Sequence, residues 1–346
     1  MIYSKIIHNK NFQVIDFVRN FGLVQHSIEL KHLYATIGEK FEFKYICCKS
    51  ASNQIIGVLP FIHYHSYLGD VIHSMPFVGY GGASFLNNDL RILKSMVDEL
   101  YDFAKQSNVL LVTICTPPFI EGNIYKNIME PDFIYENFYQ YIDLTIDPFS
   151  VMTSKNRNNL KRNLKRAEDN GIYLNENYDK SILEFWYETI YIPRMTETNC
   201  TIYPFPVFNE LRSNFGSNRV IIQYAFQNNK IIGAGFFLKQ MQSLDNFMRV
   251  IGTEYMDTKA GVLLDYWSIQ YARENELLYY NWQSCDKIGS PIFKYKKSWG
   301  SDLGYHYYLT KIINPINQLK KVPLNEIKKE YKGIYILPYN EFEIVR

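Results

Sequence analysis

The stretch Asn53-Gln54-Ile55-Ile56-Gly57-Val58-Leu59-Pro60-Phe61 returns in the second half of the chain as Asn229-Lys230-Ile231-Ile232-Gly233-Ala234-Gly235-Phe236-Phe237. Both copies set a polar turn ahead of a β-branched apolar run, the pattern of a hairpin that feeds a buried strand. Each follows an expected strand, 41–48 in the first half and 220–226 in the second, and precedes another, 71–79 and 247–253. A helix comes next in both. Over 89–106, Leu93, Met96, Val97, Leu100, Tyr101 and Ala104 share one face; over 261–275, Leu264, Trp267, Ser268, Tyr271 and Ala272 do the same. A strand closes each set, at 109–114 and 277–282. The repeated order predicts a duplicated β-β-β-α-β unit, hence an α/β (α+β) fold of two tandem units, each a mixed twisted sheet flanked by helices.

Pro148 denies a backbone donor, so 145–150 reads as the end of a strand and the seam between copies. The expected organisation is a first unit at 1–150, a second at 151–313, and a tail at 314–346. Ile334-Tyr335-Ile336-Leu337 in that tail offers a last strand able to return to the first unit.

The 346 residues suffice for two ordinary domains of ~100–200 residues each. Hydrophobic residues at 47% and charged residues at 21% exclude disordered and collagen-like classes. A net charge of +2 excludes a wholesale polyanion binder, so any basic site is local. The cysteines, Cys47, Cys48, Cys115, Cys200 and Cys285, form no CxxC and no disulfide framework, which suits a reducing compartment. No apolar run approaches the ~20 residues of a membrane helix, and the first residues carry no secretory h-region. A cytoplasmic protein with at most peripheral membrane contact is expected.

The densest charge feature is 154–169, with Lys155, Arg157, Lys161, Arg162, Lys165 and Arg166 on one helix that Leu160, Leu164 and Ala167 would dock. Thr153 or Ser154 reads as its N-cap and Asn170-Gly171 as its stop. Such a run is either a solvated face or an anion site. Acids at i, i+4 do not interleave with these cations, which favours a phosphate-bearing ligand: a nucleotide-linked substrate, a cofactor pyrophosphate or a tRNA backbone.

Two further stretches carry chemistry. Thr253-Glu254-Tyr255-Met256-Asp257-Thr258-Lys259-Ala260-Gly261 links a strand to a helix start, where backbone N–H groups can hold an anion. No GxGxxG or GxxxxGK[ST] is present, against kinases and dinucleotide enzymes. Gly289 to Gly300 joins aromatics, the cluster Lys294, Lys296 and Lys297, and Trp299, read as a short loop whose ammonium faces a phosphate or a developing oxyanion. His63 and His65 share a strand face without a Cys or carboxylate cluster in sequence to complete a metal site, so no metal is expected. Neither a GxSxG elbow nor a nucleophilic-Cys context occurs.

These strings, Ser154 to Gly171, Thr189 to Met195, Gly252 to Trp267 and above all Tyr295-Lys296-Lys297-Ser298-Trp299-Gly300, resemble the FemAB-like branch of the GNAT superfamily, which includes the peptidoglycan-bridge aminoacyltransferases. The resemblance covers most of the chain. It implies two tandem GNAT-like (acyl-CoA N-acyltransferase-like) units that move an acyl or aminoacyl group onto an amine of a nucleotide-sugar or lipid-linked cell-envelope precursor. The implied donors are acyl-CoA or aminoacyl-tRNA, with tRNA as a partner and no DNA. The family's motif lysine maps to Lys296, and its substrate-contacting Arg and Tyr to Arg194 and Tyr255. The Gln/Arg-x-x-Gly-x-Gly/Ala pyrophosphate loop is absent, as is the long helical arm of some bridge-forming members.

Aminolysis of an ester or thioester needs a neutral amine, a positioned carbonyl and a stabilised oxyanion, with no metal and no covalent nucleophile. Lys296, backed by Lys294 or Lys297, is the expected charge stabiliser. Asp265, Glu254 or Asp286 could accept the amine proton, or the substrate could relay it. Arg194, Tyr255, Arg157 and Lys161 would hold phosphate and sugar; Tyr255 is also a catalytic candidate, and Lys294, Lys297, Glu254, Trp282 and Trp299 are further expected substrate-binding residues. The rival expectations are a polyanion-binding module built on the basic helix and a degenerate duplicate acting as scaffold.

Overall fold

The computed structural model describes residues 2–7, 12–285 and 287–335. Its strands, in chain order, are β1 (Tyr3–Ile7), β2 (Phe41–Lys49), β3 (Ile55–Tyr64), β4 (Val71–His73), β5 (Ser84–Phe85), β6 (Leu111–Cys115), β7 (Phe133–Asp143), β8 (Tyr173–Glu176), β9 (Val220–Gln227), β10 (Lys230–Lys239), β11 (Ser243–Ile251), β12 (Tyr279–Ser284) and β13 (Asp302–Ile312). The chain divides into two compact units, Met1–Asn137 with Tyr305–Arg346, and Phe138–Gly304. These bounds differ from the expected seams at 150 and 313, because strand pairing overrides position in the chain. Tyr139 to Asp143 pair with β12, and Tyr308 to Ile312 pair with β6.

In the first unit the sheet runs β1-β2-β3-β4-β6-β13, with β5 on β3. The pairings β2–β3 and β3–β4 are antiparallel and β4–β6 is parallel. The helix Leu90–Gln106 starts where the Asp89 carboxylate accepts from the Arg91 N–H at 3.0 Å. It lays Leu93, Met96, Val97, Leu100 and Ala104 on Ile46, Leu59, Phe61 and Val112. Each buried Leu, Met, Val, Ile or Phe among them contributes ~1.5–3 kcal/mol. Gly57 permits the close approach, since a Cβ there would stand 2.6 Å from Ile92.

The second unit repeats the plan. Its sheet runs β7-β12-β11-β10-β9-β8, with β9–β10 and β10–β11 antiparallel and β11–β12 parallel. The helix Ala260–Glu274 packs Leu264, Ile269 and Ala272 against it. Thus β2-β3-β4-helix-β6 recurs as β9-β10-β11-helix-β12 with the same strand senses, and the fold is the expected duplicated α/β unit.

Several boundaries depart from expectation. β4 stops at His73 because Met75 and Phe77 take positive φ (54° and 69°) around Pro76 and turn the chain away. β11 begins at Ser243, before the expected 247, on polar residues that hydrophobic patterning misses. β7 ends at Asp143, and Asp147 caps a helical turn, Pro148–Val151. The expected loop at 289–300 contains a helix, Pro291–Ser298, started by Ser290 Oγ accepting from the Phe293 N–H at 3.1 Å with Pro291 at the first helical position. The basic helix is Ser154–Asp169, capped by Thr153 Oγ1 and closed at Gly171 (φ 66°). Ile334 and Tyr335 are not in a strand; Ile336 and Leu337, like Asp286, lie outside the described residues. No helix among the described residues is long and apolar enough to cross a membrane.

Candidate functional site

β11 and β12 pair in parallel only from Ser243–Asp245 to Tyr279–Asn281 and then part, although β11 continues to Ile251 and β12 to Ser284. A bulge marks each strand where they part. On β11, Met248 faces Phe236 and Asn246 faces Phe237, leaving Phe247 unmatched. The extra residue flips the alternation, so Asn246 and Arg249 come to one face. On β12, Asn281 faces Tyr141 but Ser284 faces Tyr139, and Gln283 takes φ 61°. In the first unit the equivalent parting, beyond His73 and Thr113, is filled by the chain itself. Ser74 Oγ accepts from the Cys115 N–H at 2.8 Å, and the buried Tyr80 ring meets His306 edge-on at 5.1 Å.

Around the β11 bulge lies a buried polar network. Arg249 Nε is 2.9 Å from Asp265 Oδ1, and Tyr295 donates to Asp265 Oδ2 at 2.6 Å. Asn246 donates to Asp265 Oδ1 at 3.4 Å and to the Tyr280 hydroxyl at 2.9 Å, which also bonds Ser268 Oγ at 2.8 Å. Burial raises the Asp265 pKa, opposed by the Arg249 charge. Burial and the neighbouring Asp265 keep the Tyr295 phenol protonated. Gly261 makes room for this arrangement, because a Cβ there would collide with Arg249 Nη1.

Lys296 sits at the β12 bulge. Its ammonium donates to the carbonyls of Trp282 at 2.8 Å, Gln283 at 3.2 Å and Ser284 at 3.0 Å. Desolvation lowers its pKa. The three N–H donors of the ammonium meet three successive carbonyls, so the charge locks the end of β12. The Gln283 amide donates onward to Asp245 Oδ2 at 3.3 Å, where Ser243 Oγ (2.8 Å to Oδ1) and the Gln240 amide (3.2 Å to Oδ2) also donate. Burial pushes Asp245 up to about 6.

The structure gathers part of the expected set here. Lys296, Asp265, Trp282 and Trp299 belong to it; the rings of Trp282, Trp299 and Tyr295 pack with one another 5.8–6.2 Å apart, and Trp282 Nε1 is buried with no hydrogen-bond partner among the described residues. Arg194 lies elsewhere, half-buried, donating to Glu197 at 2.8 Å and to Thr253 Oγ1 at 3.2 Å. Glu254 is exposed next to it, and Tyr255 packs under Lys230, 5.4 Å from the ring centre. Arg157 turns back to the carbonyls of Phe149, Ser150 and Met152 (3.2, 3.1 and 2.6 Å), capping the turn before its own helix. Lys161 and Lys294 are exposed, and Lys297 donates to the Ser301 carbonyl at 2.7 Å. A depression of about 620 Å³ lined by Leu144, Thr145, Gln270, Arg273, Leu277 and Leu278 holds none of these groups.

Sequence reasoning missed Arg249, Asn246, Asp245, Tyr280 and Gln283. A signal existed: Asp245-Asn246 and Arg249 interrupt an otherwise apolar strand, which is costly unless each is paired. The partners come from sequence-distant elements and could not be read off.

No family model matches the sequence, and no curated protein does. Solved structures share its fold. FemX matches 91% of this chain and 99% of its own length with a TM-score of 0.69 at 11% identity. L-PGS from Bacillus licheniformis matches 88% and 93% with a TM-score of 0.55 at 11% identity. A tandem GNAT protein from the clavulanic acid biosynthesis pathway matches 91% and 99% with a TM-score of 0.53, also at 11%. The chain has the FemAB-like, tandem GNAT fold.

Proposed function

We propose that the chain is an acyltransferase that moves an aminoacyl group from an aminoacyl-tRNA onto an amine of a nucleotide- or lipid-linked cell-envelope precursor. The observation that carries this reading is the parting of β11 and β12 at two facing bulges, with the Arg249–Asp265–Tyr295 group on one side and Lys296 on the other. The resemblance to the FemAB-like branch and the fold shared with FemX support it.

The reaction is an aminolysis. The amine lone pair attacks the ester carbonyl carbon, a C–N bond forms, and the carbonyl oxygen becomes an oxyanion. The C–O bond to the ribose oxygen then breaks, the amine proton passes to that leaving oxygen, and an amide and a free hydroxyl remain. All three N–H groups of Lys296 are given to carbonyls, so Lys296 acts on the oxyanion through its positive charge and not as a hydrogen-bond donor. Asp265 is a positioning residue: Arg249 and Asn246 engage one carboxylate oxygen and Tyr295 the other, which holds Arg249 and the phenol in place. With both oxygens committed, the proton leaves on the substrate.

Two features favour the tRNA donor over a CoA thioester. The segment between β11 and the helix Ala260–Glu274 presents the exposed carboxylates of Glu254 and Asp257 where a pyrophosphate would need donors. The helix Ser154–Asp169 leaves Lys155, Lys161, Arg162, Lys165 and Arg166 exposed, a face suited to a phosphate backbone. The resemblance alone assigns Arg194 and Tyr255 to the acceptor's phosphate and sugar; Arg194 is engaged by Glu197 and Thr253, and Tyr255 lies under Lys230.

The test incubates the purified protein with radiolabelled aminoacyl-tRNA or with acetyl-CoA, each with amine-bearing nucleotide sugars, and reads products by mass spectrometry. The expected result is an amide product abolished by RNase. Replacing Lys161, Arg162 and Lys165 by Glu should lower the salt slope of tRNA binding by about two to three. RNase-insensitive transfer from CoA would replace the donor, and tRNA binding without transfer from either donor would leave a polyanion-binding protein instead.

A further inference from the structure

The first unit carries a side-chain cluster that the proposed transfer does not use. Glu42 on β2 stands directly across from His63 on β3, and His65 follows two residues later on the same face. The turn after β3 then brings back Asp70, whose Oδ1 accepts from the Ser66 N–H at 3.0 Å. Both histidines were expected as ordinary strand residues without a carboxylate cluster. The cross-strand register and the turn supply the two carboxylates that sequence spacing hid.

The geometry separates the four ring nitrogens into two pairs. His63 Nε2 and His65 Nδ1 lie 3.0 and 2.8 Å from the same oxygen, Asp70 Oδ2. A carboxylate only accepts, so both nitrogens carry protons. In neutral imidazoles the opposite nitrogens, His63 Nδ1 and His65 Nε2, are then lone pairs, and they face Glu42 Oε2 at 3.6 and 3.4 Å. Those gaps exceed the ~2.7–3.2 Å of an N–H···O bond. While both imidazoles are neutral, three electron-rich atoms converge there, an arrangement that a cation relieves. Two ligands each ~2.0–2.1 Å from a tetrahedral zinc stand about 3.3 Å apart, close to the spacing found. The ligand atoms of Glu42, His63 and His65 all fall within 4.8 Å of one another.

We propose that His63 Nδ1, His65 Nε2 and Glu42 Oε2 bind a divalent transition metal, zinc in the first instance, with Asp70 as the outer partner that fixes both imidazoles. Metal-ligating histidines commonly donate their other N–H to a carboxylate in this way. Buried Lys44 donates to the other oxygen of Glu42 and so aims Oε2 at the histidines. The His65 and Glu42 side chains are 45% and 47% exposed, so the fourth position opens to solvent and takes water. Joining β2, β3 and the following turn, the ion ties down one edge of the first unit.

The test titrates zinc into the untagged, chelator-stripped full-length chain by calorimetry, with cobalt(II) absorption and thermal unfolding as further readouts. One equivalent should bind with a Kd below about 10 μM, cobalt should give visible d–d bands, and Tm should rise. His65→Ala and Glu42→Gln, at half-exposed positions and with the fold checked by circular dichroism, should each weaken binding at least tenfold. Asp70→Asn should weaken it by about 10–100-fold. No saturable binding, or binding unchanged in His65→Ala and therefore owed to groups such as exposed Cys200, would overturn the assignment.

Discussion

Arg249 and Asp265 form an ion pair, Nε to Oδ1 2.9 Å, in which the carboxylate is wholly removed from solvent. Losing one partner strands the other, so Arg249→Met or Asp265→Asn should destabilise by about 3–5 kcal/mol, whereas replacing both by apolar residues of like volume should recover most of it. The pH dependence distinguishes the two variants. Burial already raises the Asp265 pKa, and Arg249→Met removes the charge that opposes the rise. A carboxylate with a raised folded pKa loses its stabilising contribution as pH climbs through that value. Urea midpoints for Arg249→Met should therefore fall further below wild type at pH 8 than at pH 5.

Lys296→Met keeps the side-chain stem and deletes the ammonium that three carbonyls share. Transfer should drop by at least about tenfold through loss of that charge, short of the 10²–10³-fold of a lost oxyanion-hole donor, while tRNA binding through the exposed cations of Ser154–Asp169 persists. Single-turnover rates set beside filter binding separate the two effects. Unchanged turnover would remove Lys296 from the chemistry.

Asp245 gives a second signature. Its pKa rises from 3.8 to about 6 by burial, so its contribution to stability is complete below pH 4 and is lost as pH rises through 6. Two pH units correspond to about 3 kcal/mol. His73 and His306 act oppositely in the same window, because burial lowers each to about 4 and their neutral forms favour the fold as pH rises. The comparison of wild type with Asp245→Asn cancels the histidines. The variant's stability should increase more steeply between pH 4 and 7 than wild type's, measured by denaturant midpoints.

The duplicated architecture was legible because a hairpin motif and an amphipathic helix leave periodic traces, as with Ile55–Tyr64 against Lys230–Lys239. Lys296 was legible through its aromatic surroundings. The helix around it was not, since Pro291 reads as a breaker unless its place at the first helical position is known. Arg249 and Asn246 stayed hidden because a bulge at Phe247 changes which residues share a face, and bulges leave little trace in composition. Glu42, His63, His65 and Asp70 stayed hidden because their proximity rests on register and on one turn.

Gly261 ties helix and ion pair together, and its replacement sets two known effects against each other. Ala is the better helix former by up to about 1 kcal/mol, so Gly261→Ala in isolation should stabilise the start of Ala260–Glu274. A Cβ there, however, meets Arg249 Nη1, so the guanidinium must shift, and the expectation is that this shift breaks the Nε bond to Asp265. Losing the pair costs more, about 3–5 kcal/mol, so Gly261→Ala should be net destabilising and should impair transfer. The sign should reverse in an Arg249→Met background, where the space beside Gly261 is freed and only helix propensity remains. A denaturation cycle over the wild type, both single variants and the double variant measures the coupling. Additive single effects would mean that the guanidinium relaxes freely and that Gly261 does not hold it in place.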